Sequence, residues 1–172
     1  QSRMRIKQQN LLKFIFFLSI LGIVLSGYLT YLHYSTLNSP CDLNGTFQCS
    51  IVKQSKYAEV FGIPVAFLGL LGYSFLGLIS FSLSKENLLK KIKEKKILRK
   101  TISAENLLAF SVIALGVSLY LTYAEFFLIK ALCIFCLVSQ ITILGITISS
   151  YYNLKLNKLI KIKEKEGDLK LQ

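Results

Sequence analysis

The sequence predicts an all-α integral membrane protein whose four spanning helices are separated by basic blocks. Three observations carry that prediction: an excess of apolar over charged residues, the gathering of Lys and Arg into blocks, and four charge-free runs between them. Of 172 residues, 53% are hydrophobic and 17% charged, against roughly 45–50% and about 25% in soluble domains. That balance excludes a disordered, collagenous or ordinary soluble chain, and the length leaves no room for a second soluble module beside a membrane bundle. A net charge of +12 would suit a nucleic-acid surface only if the basic residues were spread over one face, and they are not.

Taken in order, residues 1–13 form a basic start with Arg3, Arg5, Lys7 and Lys13. The first helix is expected at about 14–37. Its apolar run continues past Leu25 with no A-x-A cleavage pattern, which favours a retained anchor over a signal peptide. Tyr28, Tyr31 and Tyr34 suit an interfacial belt. An outer loop, 38–62, precedes a second helix at 63–84. The 85–104 loop carries Lys85, Lys90, Lys91, Lys93, Lys95, Lys96, Arg99 and Lys100. Helices three and four follow at about 105–129 and 132–152, and a Lys-rich tail fills 155–172. At 1.5 Å per residue, about 19 residues cross a hydrocarbon core of roughly 30 Å. Short loops rich in Lys and Arg stay in the cytoplasm, so both termini and the middle loop are expected inside, and 38–62 and the turn at Lys130 outside. Gly22 with Ser26, Gly69 with Gly72, and Gly145 with Ser149 are spaced to let helices approach closely. The transmembrane unit is thus expected over 14–154. Its Lys/Ile-rich composition and want of an organelle or retention signal point to a bacterial plasma membrane.

On this topology all four cysteines, Cys41, Cys49, Cys133 and Cys136, fall on the outer side, the disulfide-permissive one. Cys133-Ile-Phe-Cys136 is a C-x-x-C unit at a helix start. Residues three apart share a helix face, and the positive end of the helix dipole favours a thiolate at the first sulfur. Haem attachment would need His after the second cysteine, where Leu137 stands, and the seven residues between Cys41 and Cys49 depart from zinc spacing. No metal site is therefore expected. Two static disulfides remain a competing reading, with three connectivities open. A bridge over two intervening residues closes a loop too small to stabilise much, which favours a bond made to be broken. The segment 50–61 mixes apolar with polar residues and suits an outer-loop or interfacial-helix flap lying on the membrane surface. Ser26-Gly-Tyr-Leu-Thr-Tyr31 precedes Cys41 by the same offset as Ser118-Leu-Tyr-Leu-Thr-Tyr123 precedes Cys133. His33 and Glu125, near the outer ends of helices one and three, are read as interfacial and solvated.

Cys41-x7-Cys49-Ser50, Ser55, Tyr57-Ala58, Phe61-Gly62-Ile63-Pro64 and Cys133-Ile-Phe-Cys136-Leu137 together resemble prokaryotic homologues of vitamin K epoxide reductase, over about residues 26–150. The resemblance implies a four-helix bundle around a quinone, menaquinone or ubiquinone, with the loop cysteines on a flap above the C-x-x-C pair. It also implies a relay. A separate extracytoplasmic thioredoxin-fold protein would reduce Cys41/Cys49, which would reduce Cys133/Cys136, which would reduce the quinone. Cys49 would form the mixed disulfide with Cys133, and Cys136 would face the ring. Ser55, Phe61 and Gln140 are the further expected quinone contacts. Gln140 lies one turn beyond Cys136 on its face, with an amide able to bond a carbonyl; Ser55 and Gln140 are also able simply to satisfy backbone. Gln140 stands where animal relatives resemble a tyrosine, a departure that bears on epoxide chemistry. Some relatives continue into a fused thioredoxin-like domain; here the Lys-rich tail follows the bundle, hence the expectation of a separate partner. Quinone-epoxide reduction and a non-enzymatic tetraspan protein are the alternatives.

Overall fold

The structure is a computed structural model and describes residues 2–35, 59–60, 62–84, 103–130 and 133–169. The elements are α1 (Ser2–Tyr34), a two-strand hairpin of β1 (Glu59–Val60) and β2 (Ile63–Pro64), α2 (Val65–Ser84), α3 (Ala104–Tyr123) continuing as a π-helical segment (Ala124–Ile129), and α4 (Ile134–Leu169). Four helical stretches among the described residues, one for each predicted run, are long and apolar enough to cross a membrane. Side chains such as Phe17, Leu78, Ile113, Phe127 and Ile141 are exposed along them, a surface that suits lipid rather than water.

α1 packs against α2 and α4, α4 against α3, and a narrower contact between α2 and α3 closes the ring. Leu12, Ile15, Tyr73, Leu76, Ile79, Leu107, Ile143 and Ile146 form the main core. Small residues set the seams, because apolar attraction between helices is weak in lipid and close packing must replace it. Gly69 faces Ser26, and a Cβ there would sit 3.1 Å from Ser26 Oγ; at Gly77 it would sit 3.2 Å from Ser19 Cβ. Gly145 packs on Leu18, whereas Gly72 faces open space. The Ser80 hydroxyl donates across the α1–α2 seam to the Leu12 carbonyl at 2.6 Å. The two copies of the repeated motif bond alike: Thr30 donates to the Ser26 carbonyl at 2.7 Å and Thr122 to the Ser118 carbonyl at 3.1 Å.

Two helices overshoot their charge-free runs. α1 begins at Ser2 and α4 continues through the Lys-rich segment to Leu169. Charge marks where the bilayer stops, but Lys, Leu, Ile and Glu hold helices well enough for the rods to continue. α3 starts one residue earlier than expected, where Ser103 at φ −132° accepts the Asn106 N–H at 3.2 Å, an N-cap bond.

The expected interfacial flap is described only at its end. There Glu59–Val60 form a strand rather than part of a helix, in register with Ile63–Pro64. Gly62, at φ 76°, makes the turn, in a region that a Cβ disfavours. α2 accordingly begins at Val65, after Pro64. His33, at the end of α1, meets Glu59 Oε1 at 3.0 Å and ties the hairpin to that end of the bundle.

Candidate active site

Cys133 is 2% exposed and immediately precedes α4. Its carbonyl accepts the Leu137 N–H at 3.0 Å, and its sulfur accepts the Cys136 N–H at 3.4 Å. Cys133 is therefore the N-cap of α4, with Sγ in the place usually taken by a serine or aspartate oxygen. The Cys136 thiol also hydrogen-bonds to it. Both cysteines are free thiols here. Cys133, ahead of the spanning segment, is held below the ordinary thiol range chiefly by that Cys136 hydrogen bond, while burial and the Glu125 carboxylate push the other way. A thiolate at a helix start is the nucleophile that disulfide exchange requires.

Leu29 of α1 and Phe135 pack around the pair, and Tyr28 meets Phe135 edge-on at 5.4 Å. The Tyr34 end of α1 and the start of α4 therefore share one end of the bundle. Ser35 and the His33-tethered Glu59 stand at that end too. Cys41, Cys49, Ser55 and Phe61, between or beside those residues, lie outside the described residues.

Glu125 differs from the reading given above. It is 4% exposed, and Oε2 accepts the backbone N–H of Cys133 at 3.2 Å. Its carboxyl also hydrogen-bonds with the Cys136 side chain. The π-helical segment has Ala124 and Glu125 inward and Phe126, Phe127 and Leu128 outward, and it ends at Lys130 with φ 55°. The sequence holds a signal for this inward placement: Glu125 lies seven residues, two helical turns, after Ser118 and so shares its face.

Deeper in the bundle, Gln140 lies one turn beyond Cys136, and its Oε1 accepts the Ser118 hydroxyl from α3. That bond orients the amide, leaving Nε2 as its donor end. One residue before it, Ser139 meets Tyr73 of α2. The Tyr73 hydroxyl donates to the Ser139 carbonyl at 3.0 Å and stands 2.8 Å from its hydroxyl. Tyr73 is 6% exposed, with its ring against Gly22. Aromatic residues in membrane helices read as belt or lipid face, so sequence reasoning passes over this one. Tyr73→Phe is expected to lower stability by about 1 kcal/mol, measurable as earlier thermal unfolding in detergent.

The fold thus has a thiol pair at a helix start, Cys133 buried and Cys136 half-buried, with a carboxyl against it and an amide one turn below. A family model described as the Vitamin K epoxide reductase family matches residues 13–151. The chain belongs to that family. A search of curated proteins finds no match. The match spans all four long apolar helices, at least in part, and both described cysteines. Membership in the vitamin K epoxide reductase family, together with the thiol pair, supports a membrane-bound thiol oxidoreductase.

Proposed function

We propose that this protein is a membrane thiol–quinone oxidoreductase of disulfide-bond formation. It oxidises a separate extracytoplasmic thioredoxin-fold protein through Cys41/Cys49 and then Cys133/Cys136. The observation that carries the reading is the sulfur-capped start of α4. Cys133 combines a helix N-terminus, a donated backbone N–H and a neighbouring thiol, the environment in which exchange is fast. The segment bearing Cys41 and Cys49 joins the described chain at this same end, which supports an encounter between the two pairs.

Each transfer is a thiolate attack on a disulfide. Cys49 thiolate attacks Cys133 Sγ of the Cys133–Cys136 bridge, the new S–S bond forms, and Cys136 leaves with the electron pair. Cys41 then resolves the mixed disulfide, restoring the loop bridge and leaving both bundle cysteines reduced. A quinone supplies the sink, taking two electrons and two protons. The residues fit such a group: Gln140 Nε2 is a donor for a ring carbonyl one turn below Cys136, and Leu29 and Phe135 pack apolar surface at the thiol pair. Ser55 and Phe61 would hold the ring from the loop. The basic residues of α1 and α4, Lys7 and Lys155 among them, meet at the opposite end of the bundle, which favours that end as cytoplasmic and the cysteine end as outward in a bacterial plasma membrane.

The test uses the full chain in lipid nanodiscs with a reduced thioredoxin-fold dithiol protein and a soluble quinone. One quinone is expected to be reduced per dithiol oxidised. Turnover on a quinone epoxide but not on the quinone would reassign the acceptor, and no dithiol consumption with either would leave a protein with static disulfides.

A further inference from the structure

Glu125 is a buried carboxyl for which the relay above has no task. Burying a carboxyl is costly unless its hydrogen bonds are met. Here they are met by the redox turn itself, the Cys133 N–H at 3.2 Å and the Cys136 thiol. An amide at this position would accept the Cys133 N–H as well as a carboxyl does, so folding alone gives no reason for an acid. Resting on the thiol-exchange reading, we propose that Glu125 is a further catalytic residue, the group that gives a proton to Cys136 Sγ and takes it back.

The proton count closes. When an incoming thiolate attacks Cys133 Sγ, the Cys133–Cys136 bond breaks and its electron pair goes to Cys136 Sγ. The Glu125 carboxylic acid protonates that sulfur and becomes a carboxylate. When Cys136 later re-forms the bond to Cys133, its proton returns to Glu125; a bound quinone would accept the electron pair, with the two protons of its reduction coming from solvent. The groups facing the carboxyl from α4 and its cap are Cys136 and Cys133. On its own element the nearest titratable side chains, Tyr123 and Lys130, are exposed. At the α1 end, Tyr28 packs on Phe135 and His33 pairs with Glu59.

Glu125→Gln and Glu125→Asp test this. Glutamine keeps an oxygen for the Cys133 N–H and loses the ionisable proton. Two measurements are made on the full chain in nanodiscs: alkylation of Cys136 by iodoacetamide against pH in the reduced protein, read by peptide mass spectrometry, and the pH profile of quinone-coupled turnover. In Glu125→Gln, Cys136 is expected to be alkylated about tenfold faster at neutral pH, because the opposing charge is gone. Turnover should fall about a hundredfold, the scale of a lost acid–base group, with partial recovery in Glu125→Asp. An alkylation curve unchanged from wild type overturns the proposal, and so does an altered curve with turnover and its pH profile unchanged, the result that a merely structural carboxyl would give. The alkylation arm needs neither dithiol nor quinone. Absent turnover in wild type would thus count against the thiol–quinone reading, while an unchanged curve would still overturn the role given to Glu125.

Discussion

Cys136→Ser is expected to reduce quinone-coupled dithiol oxidation by more than about a thousandfold, to the uncatalysed background. Serine preserves the size and the hydrogen bonding of the turn, and its backbone N–H still caps against Cys133 Sγ, so the bundle folds. What is lost is the sulfur that must leave Cys133 with an electron pair and bond to it again. The same substitution makes a second, positive result available. Cys133 remains a nucleophile, favoured by the helix start, and attacks the oxidised Cys41/Cys49 pair to give a Cys49–Cys133 mixed disulfide that Cys136 is no longer there to resolve. That adduct should accumulate in Cys136→Ser, be visible on a non-reducing gel, and disappear in Cys133→Ser. Absence of the adduct, with activity retained, would remove the cysteine turn from the reaction.

The largest structural effect is expected at Gly22. A Cβ there would lie 2.4 to 2.6 Å from three ring atoms of Tyr73. The ring has no easy retreat, since it is buried in the main core and its hydroxyl is fastened to Ser139. Gly22→Ala must therefore separate α1 from α2 or break that bond. Overpacking of this kind costs about 1–3 kcal/mol, and a lost hydrogen bond adds about 1 kcal/mol. Gly72→Ala is the control: it lies on α2 beside Tyr73, yet a Cβ meets nothing within 4 Å. Thermal unfolding in detergent should separate the two, with Gly72→Ala within about 0.5 kcal/mol of wild type. Equal stability of both variants would show that the seam yields.

Much of this fold was legible because hydropathy and charge report directly on the bilayer. The charge-free runs mark the four spans, and Cys133-x-x-Cys136 announces its own turn. Hydropathy says nothing about where a helix ends outside the bilayer, however, so the overshoot of α1 to Ser2 and α4 to Leu169 had no signature. Glu125 was misread for a related reason. One acid near the end of an apolar helix reads as solvated by default, and only its register with Ser118 says otherwise. Tyr73 was hidden among aromatic residues whose usual place is a belt; the clue lay on another helix, in the space left by Gly22.

One atom, Cys133 Sγ, both closes the first turn of α4 and is the sulfur proposed to carry electrons. A thiolate is a strong acceptor and a bridged sulfur a feeble one, so oxidation is expected to slacken the opening coil and reduction to tighten it. Backbone order at the mouth of the bundle is thus coupled to electron occupancy, and solvent exchange of the Cys136 amide becomes a readout of whether the enzyme is charged or spent.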